Sequence, residues 1–361
     1  MRITSIEIFR YSRLVLDEFP RPAYSDTQAL GSFRREGLLV RIRSELGTVS
    51  FGEVAPLFGR SRETLEEATL AIQNLLPTLA RMTLPRSFRE WTEPDEFEDL
   101  PSSCRYGIEQ AIYSLSAKES SVSLSKWLRE DARDHVPVNA LLNGSPGAVL
   151  QQARDARSGG YSVFKLKVES NRIDQEAQLV TDVRSTIGPK AELRLDANRA
   201  WDYDRAVQFL SEIENQDIAY IEEPLLNPEL LNRMARNVSV PIALDESIPE
   251  ILEQGKRLEE FAFARTAILK PTVIGGMATT IDLANRFSSI GVEPVITSSF
   301  ETEVGHAGLV SLAAVISGSG WAAGLDTLRY FDADLPSEPI RNANKISLYQ
   351  NPDLSGLARV A

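Results

Sequence analysis

From residue 136 onward, short apolar runs alternate with longer stretches whose apolar positions recur at helical spacing. The short runs, at 136–142, 161–168, 192–196, 218–222, 241–244, 266–270 and 293–297, read as strands. Between them, 174–187, 203–213 and 277–290 read as helices. Strand and helix in alternation, at a spacing of roughly 25 residues, predict parallel βα units. Seven such strands, with a short eighth near 324–325, suit a closed α/β barrel better than an open sheet. No sequence repeat accompanies this structural period.

The first part of the chain reads differently. Residues 2–11 and 37–44 are predicted strands, and 62–76 a helix capped by Ser61 and ended by Pro77. Tyr106, Ile108, Ile112 and Leu115 place a second helix over 103–118. Between the two strands, 17–36 contains Pro20, Pro22 and Gly31, a long connection of the kind that carries function or motion. After Asp326 the pattern turns irregular, with one last strand expected at 345–348 and a tail that returns to the first domain. The organisation expected is therefore 1–130 as an α+β domain, 131–326 as the barrel and 327–361 as the returning tail.

Composition narrows the class. With 361 residues, 43% apolar and 25% charged, the chain is an ordinary folded protein of about two domains. A formal net charge of −12 argues against nucleic acid and against anionic membrane surfaces as partners. Cys104 is the only cysteine, so no intrachain disulfide forms, which fits a reducing, cytoplasmic setting. The N-terminal residues MRITSIEIFRYSR lack the apolar core of a signal peptide. Residues 307–325 carry no charge, but Ser317-Gly318-Ser319-Gly320 would break a helix there. The stretch reads as a buried helix and a loop rather than a membrane span.

Parallel barrels carry their active sites at the carboxyl ends of the strands, and here those ends are charged. Alternation puts Lys165 and Lys167 on one face of the second strand, opposite Phe164 and Leu166. Arg194 shares a face with Asp196, Glu222 with Tyr220, and Lys270 lies opposite Leu269. The outer helix layer needs the apolar faces, so the charged ones look into the barrel mouth. There Asp196, Glu222 and Asp245 converge and repel one another unless a cation neutralises them. An all-carboxylate set favours a hard cation, Mg²⁺, with Mn²⁺ as the alternative. A lysine beside another cation in a desolvated mouth has its pKa lowered and can act as a base. Singly, a Lys-x-Lys edge, a Glu-Glu-Pro loop start and an Asp-Glu-Ser helix cap are commonplace. Their occurrence at successive strand ends is what points to chemistry. His135 and His306 fall away from this cluster and read as structural, while Asp326 either meets substrate or caps a turn.

At these residues the sequence resembles the enolase superfamily, and within it the subgroup of muconate cycloisomerase. The resemblance implies an α+β capping domain, completed by the C-terminal tail, over a modified (β/α)₇β barrel, with 17–36 as a mobile lid. In that subgroup the first acid of the Glu-x-Pro motif is the ligand, which selects Glu222 over Glu223. Phe51-Gly52-Glu53-Val54-Ala55-Pro56 resembles the capping-domain loop, and 103–118 the helix leading into the barrel. Residues 138–142, 194–201, 297–301 and 324–327 resemble the o-succinylbenzoate synthases. Thr302 and His306 stand where that group more often has serine and leucine.

This resemblance implies a carbon–oxygen lyase of menaquinone or phylloquinone biosynthesis. Its small carboxylate substrate is 2-succinyl-6-hydroxy-2,4-cyclohexadiene-1-carboxylate, which it dehydrates to o-succinylbenzoate. Lys167 is then the proton-transfer group, Lys270 a cation on the opposite face, and Lys165 a neighbour that tunes Lys167. Arg194, Asn198, Ser298 and Ser299 are the expected substrate-side contacts, with Arg194 orienting the ligands. N-acylamino acid racemases and dipeptide epimerases are the alternatives, since both use two opposed lysines. The epimerases usually carry an Asp-x-Asp where this chain has Thr297-Ser298-Ser299. A non-catalytic barrel would be expected to lack a ligand or a lysine, and an assembly of identical copies stays open.

Overall fold

The computed structural model describes residues 2–15, 34–57, 59–170, 172–316, 321–331, 341–342, 345–346 and 357–361. An antiparallel sheet comes first, formed by β1 (Ile3–Leu14), β2 (Arg34–Ser44) and β3 (Val49–Val54), with Ala358–Arg359 added at the outer edge of β1. The 51–56 segment, expected as a loop, is thus mostly strand, and Glu53 pairs with Leu39. Gly52 and Glu53 had hidden it, because neither has strand propensity. Arg34–Glu36 belong to β2, and the rest of the expected lid at 17–36 lies outside the described residues.

Helix α1 runs from Leu65 to Leu79, and α2 from Ser102 to Glu119. The cap of α1 is Thr64, three residues later than expected, because Thr64 and Glu67 form a reciprocal capping box. Ser61 instead accepts from the backbone N–H of Leu57. Pro77 lies within the last turn, where the buried stripe of Leu75 and Leu79 carries the helix past it. A short helix, α3 (Leu124–Leu128), was not foreseen.

The segment expected at 136–142 divides in two. Val136–Pro137 (β4) pairs with Lys345–Ile346, so this late strand sits against the barrel. Ala140–Leu142 (β5) enters the parallel sheet. After α4 (Pro146–Ser158) come β6 (Val163–Lys167), α5 (Ile173–Ile187), β7 (Glu192–Asp196), α6 (Tyr203–Glu212) and β8 (Ile218–Glu222). Then follow α7 (Leu231–Ala235), β9 (Ile242–Leu244), α8 (Ser247–Glu253), β10 (Thr266–Leu269), α9 (Pro271–Ile274), α10 (Met277–Ser289), β11 (Glu293–Ile296) and α11 (Glu303–Ile316). The parallel sheet runs β5 to β11 in sequence order. Residues 323–324 close it, because Ala323 bridges Val138 and Gly324 bridges Thr297. Helix α11, free of charged residues after Glu303 apart from His306, is largely buried, and none of the described helices is long and apolar enough to cross a membrane.

Two buried acids of the first domain fasten it to the barrel. Glu53 accepts from the backbone N–H groups of Thr302 (2.9 Å) and Gly305 (2.7 Å) and from the Thr302 hydroxyl at 2.5 Å, at the start of α11. Glu109 of α2 accepts from the N–H groups of Met277 (2.5 Å) and Ala278 (3.0 Å), at the start of α10. Each supplies a helix N-terminus with carboxyl oxygens from another domain, satisfying orphan donors. Glycine permits the approach: a Cβ on Gly276 would lie 2.7 Å from Glu109 Oε2, and one on Gly305 2.9 Å from Glu53 Oε2.

Burial pushes the Glu109 carboxyl up from an ordinary value of 4.5 to about 8, against the lowering effect of the Ala278 and Met277 amides. In the unfolded chain this group ionises near its ordinary value, so between the two values the folded protein holds the extra proton. Stability therefore falls as pH rises from about 4.5 to about 8 and then levels off. Glu109→Gln keeps an acceptor and removes the titration. Urea unfolding of both proteins across pH 5–9 should show the wild type losing stability relative to the variant, by on the order of a few kcal/mol. A constant difference over that range would contradict the assignment.

Candidate active site

Strand pairing aligns the charged groups. Lys167 pairs with Asp196 across β6 and β7, and Asp196 with Glu222 across β7 and β8. Asp245 follows the last residue of β9. Its backbone N–H donates to Glu223 at 2.9 Å, and Glu223 also accepts from the N–H (2.9 Å) and hydroxyl (3.0 Å) of Ser247. The second acid of the Glu-Glu-Pro run therefore braces the loop that carries Asp245. One carboxylate oxygen each from Asp196, Glu222 and Asp245 lie within 4.8 Å of one another, and all three residues are buried. Among the described residues this is the one group of acids so arranged.

Three lysines flank the acids. Lys165 Nζ bridges Asp196 (2.9 Å) and Glu222 (2.6 Å). Lys167 Nζ donates to Asp196 Oδ2 at 2.8 Å and to Asn198 Oδ1. At the other end of the row, Lys270 Nζ donates to Asp245 Oδ2 at 2.5 Å. A cavity of about 430 Å³ borders Asp245 and Lys270 and extends beneath Arg60 and Arg62.

Burial and neighbouring charge set the ionisation of the cluster. Burial pushes Glu222 up to about 8, with Lys165 opposing and the charges of Asp196 and Asp245 adding to the rise. Burial and the adjacent Glu246 also raise Asp245, against Lys270. Burial works against ionisation of Asp196 too, but Lys165 and Lys167 outweigh it and hold that carboxyl below its usual range. Lys165, the expected neighbour of the base, is itself shifted upward. Burial alone would lower it, but Asp196, Glu222 and Asp245 together hold it well above the ordinary value. Without a cation this lysine is a counter-ion to the acids. Three buried, converging carboxylates fit a divalent cation, and three oxygen donors suit a hard one.

The remaining expected contacts separate. The Arg194 guanidinium is turned toward the bottom of the barrel, bonding Glu192 (2.6 Å) and the Ala322 carbonyl (2.7 Å) and stacking on Tyr220 and Trp321. It is two residues before Asp196, and that one-layer offset along the strand removes it from the mouth. The Ser298 hydroxyl donates to Glu301 (2.7 Å) and accepts from Thr327 (2.9 Å) and from the Phe300 amide (2.9 Å), so it organises its own loop. The Ser299 hydroxyl is buried and without a protein partner. Asn198 faces Lys167 and Glu246. His306 bonds the Leu325 carbonyl (2.8 Å), His135 is exposed, and Asp326 meets Arg329 (3.6 Å) and Tyr161 (3.4 Å).

Several site residues were not singled out from the sequence. Glu223 and Glu246 each stand beside an acid that was chosen. Glu301 holds Ser298, the Ser299 amide (2.8 Å) and Thr272 (2.8 Å). Arg35 reaches from β2 to the carbonyls of Ala55 and Pro56 (2.5 Å each) and Phe300 (3.0 Å), tying the β3 exit to the β11 exit. Only the tertiary fold brings these segments together. A cluster of left-handed residues after β7, β8 and β11, namely Asn198, Arg199, Glu223 and Phe300, marks the same loops.

Comparison with known proteins follows this geometry. Residues 148–358 match the family described as "Enolase C-terminal domain-like", and residues 27–115 match "MenC, N-terminal domain". The o-succinylbenzoate synthase of Thermobifida fusca (strain YX) is 35% identical over 227 residues, covering 62% of this chain and 69% of that protein. The o-succinylbenzoate synthase of Vibrio cholerae serotype O1 is 30% identical over 308 residues, 84% of each chain. In fold, the L-Ala-D/L-Glu epimerase of Bacillus subtilis superposes with a TM-score of 0.82 at 22% identity, covering 99% of this chain and 100% of that one. The muconate lactonizing enzyme of Pseudomonas putida gives 0.80 at 20% identity, covering 99% and 97%. The chain therefore belongs to the enolase superfamily and, within it, to the o-succinylbenzoate synthase family.

Proposed function

We propose that this protein is an o-succinylbenzoate synthase. It would dehydrate 2-succinyl-6-hydroxy-2,4-cyclohexadiene-1-carboxylate, with Asp196, Glu222 and Asp245 holding Mg²⁺. The observation that carries the reading is the row of three buried carboxylates, with Lys165 and Lys167 at one end and Lys270 at the other. Its relatives over most of the chain bear the same activity in their names.

The bound metal would supply positive charge where the substrate carboxylate gains negative charge as its α-proton leaves. Lys167 takes that proton, breaking the α-carbon–hydrogen bond. The electron pair forms the new ring double bond as the carbon–oxygen bond to the hydroxyl breaks. Lys167 returns its proton to the departing oxygen, so water leaves and the base is restored. Lys270, opposite, keeps its charge and steadies the planar anion. Lys165, pinned between two of the acids, keeps the ligand row in register and helps to hold the substrate carboxylate. Ser299, whose hydroxyl has no protein partner, would supply a substrate hydrogen bond.

A racemase or epimerase would use the same acids but needs both lysines to exchange protons, whereas a dehydration needs only Lys167 to do so. Cyclohexadiene carboxylate, an N-acylamino acid and a dipeptide should be assayed side by side in D₂O. Efficient o-succinylbenzoate formation is expected, with kcat/KM of roughly 10⁴–10⁸ M⁻¹s⁻¹. Racemisation of the amino acid derivatives should be slow or absent. Rapid deuterium uptake and racemisation with no o-succinylbenzoate would overturn the reading.

Lys167→Ala removes the group that acts in both half-steps. Turnover should drop by at least the roughly 10²–10⁴-fold that one acid–base group contributes. A variant that keeps near-normal kcat would mean that another residue carries the proton.

A further inference from the structure

A proton-transfer lysine must hold its ammonium toward one carbon, and its long flexible stem does not do this alone. Three polar side chains stand in line behind Lys167. Asn198 Oδ1 accepts from Lys167 Nζ, and Asn198 Nδ2 donates to Glu246 Oε1 at 2.9 Å. The same Glu246 oxygen pairs with Arg60 Nη2 at 2.6 Å. The line is shielded, with the Glu246 and Arg60 side chains 7% and 17% exposed. Its chemistry fixes its direction. An ionised carboxylate only accepts, so Glu246 selects the NH₂ end of the Asn198 amide and leaves the carbonyl end for the lysine.

The backbone is shaped to the same end. Asn198 and Arg199 are both left-handed, at φ of 43° and 61°. Arginine gains nothing locally from that conformation, so surrounding contacts hold it there. The turn sends Asn198 toward Lys167 and Arg199 outward to Glu250 at 2.6 Å and Glu223 at 3.3 Å. Glu246 is not one of the three converging acids, so holding a metal does not explain it. Arg60 belongs to the first domain, in a tight turn where the amides of Arg60 and Ser61 donate to the Leu57 carbonyl at 3.0 and 2.8 Å. That turn follows Pro56, whose carbonyl Arg35 holds.

We propose that Arg60, Glu246 and Asn198 are positioning residues for Lys167, and that the contact of Arg60 with Glu246 aligns the base through Asn198. This rests on Lys167 being the proton-transfer group.

The test uses the magnesium-loaded full chain and the variants Arg60→Ala, Glu246→Ala, Glu246→Gln, Asn198→Ala and the double Arg60→Ala/Glu246→Ala. Each alanine change should lower kcat on the order of 10- to 100-fold, as misplacement of a reacting group does. KM and magnesium affinity should stay near wild type. Glu246→Gln, which still offers Asn198 an acceptor, should recover part of the loss. The double variant should be no worse than Glu246→Ala, because both changes cut one line. A readout independent of the substrate is competitive acetylation followed by mass spectrometry. Lys167 should label several-fold faster in the alanine variants, while exposed Lys190 stays constant. Unchanged kcat together with unchanged Lys167 labelling would overturn the proposal. So would fully additive losses in the double variant, or effects confined to KM and magnesium affinity. If the wild type turns over none of the candidate substrates but labelling follows the variants as described, the reaction assignment falls and the positioning line stands.

Discussion

Three carboxylates buried at the ends of neighbouring strands are an arrangement the fold alone does not favour. Asp196, Glu222 and Asp245 have lost their hydration and face one another within 4.8 Å. Two responses to that strain are visible. Protonation becomes easier at Glu222 and Asp245, and lysines move in as counter-ions from both ends. A divalent cation answers the same demand more completely, and it would free the lysines to face a substrate. The chemistry of the mouth therefore depends on the electrostatic imbalance that the strand register creates.

The first domain is part of this arrangement rather than an ornament on the barrel. Glu53 and Glu109 terminate barrel helices α11 and α10 with carboxylates the barrel does not itself supply. Arg35 binds the exit of β3 to the loop carrying Ser299 and Phe300. Arg60 meets Glu246 beside the third acid. Each link is a polar contact with little access to water, where such contacts are most costly to leave half-made. Displacing the first domain would leave buried donors and acceptors unpaired on both sides.

Much of the barrel was readable because its strands combine burial with a clear alternation. Glu192–Asp196 and Ile218–Glu222 were predicted with the bounds observed, since Leu193, Leu195, Ala219 and Ile221 mark one face and charged or aromatic residues the other. Lys165, Lys167, Asp196, Glu222 and Lys270 were read from the same alternation, and Asp245 from its place at a strand end. Val49–Val54 was missed because Gly52 and Glu53 are chosen for approach and capping, not for strand propensity. The end of α1 was misjudged at Pro77, where tertiary burial overrode a local breaker. Arg194 shows the limit of face arguments, because sharing a face does not mean sharing a height along the barrel axis. Ser298 and Ser299 could not be told apart until Glu301 was seen to occupy one of them. The Arg60–Glu246 contact spans 186 positions of chain and has no local signature.

The central claim is that the three acids form one cation site whose occupancy relieves their mutual repulsion. Calorimetric titration of Mg²⁺ into chelator-treated protein at pH 7.5 measures this directly, in buffers of different ionisation enthalpy to count protons released. The account predicts one ion per chain, release of protons as suppressed carboxyls ionise, and loss of binding in Asp196→Asn, Glu222→Gln and Asp245→Asn alike. Undiminished one-to-one binding in all three variants, or none in the wild type, would contradict it.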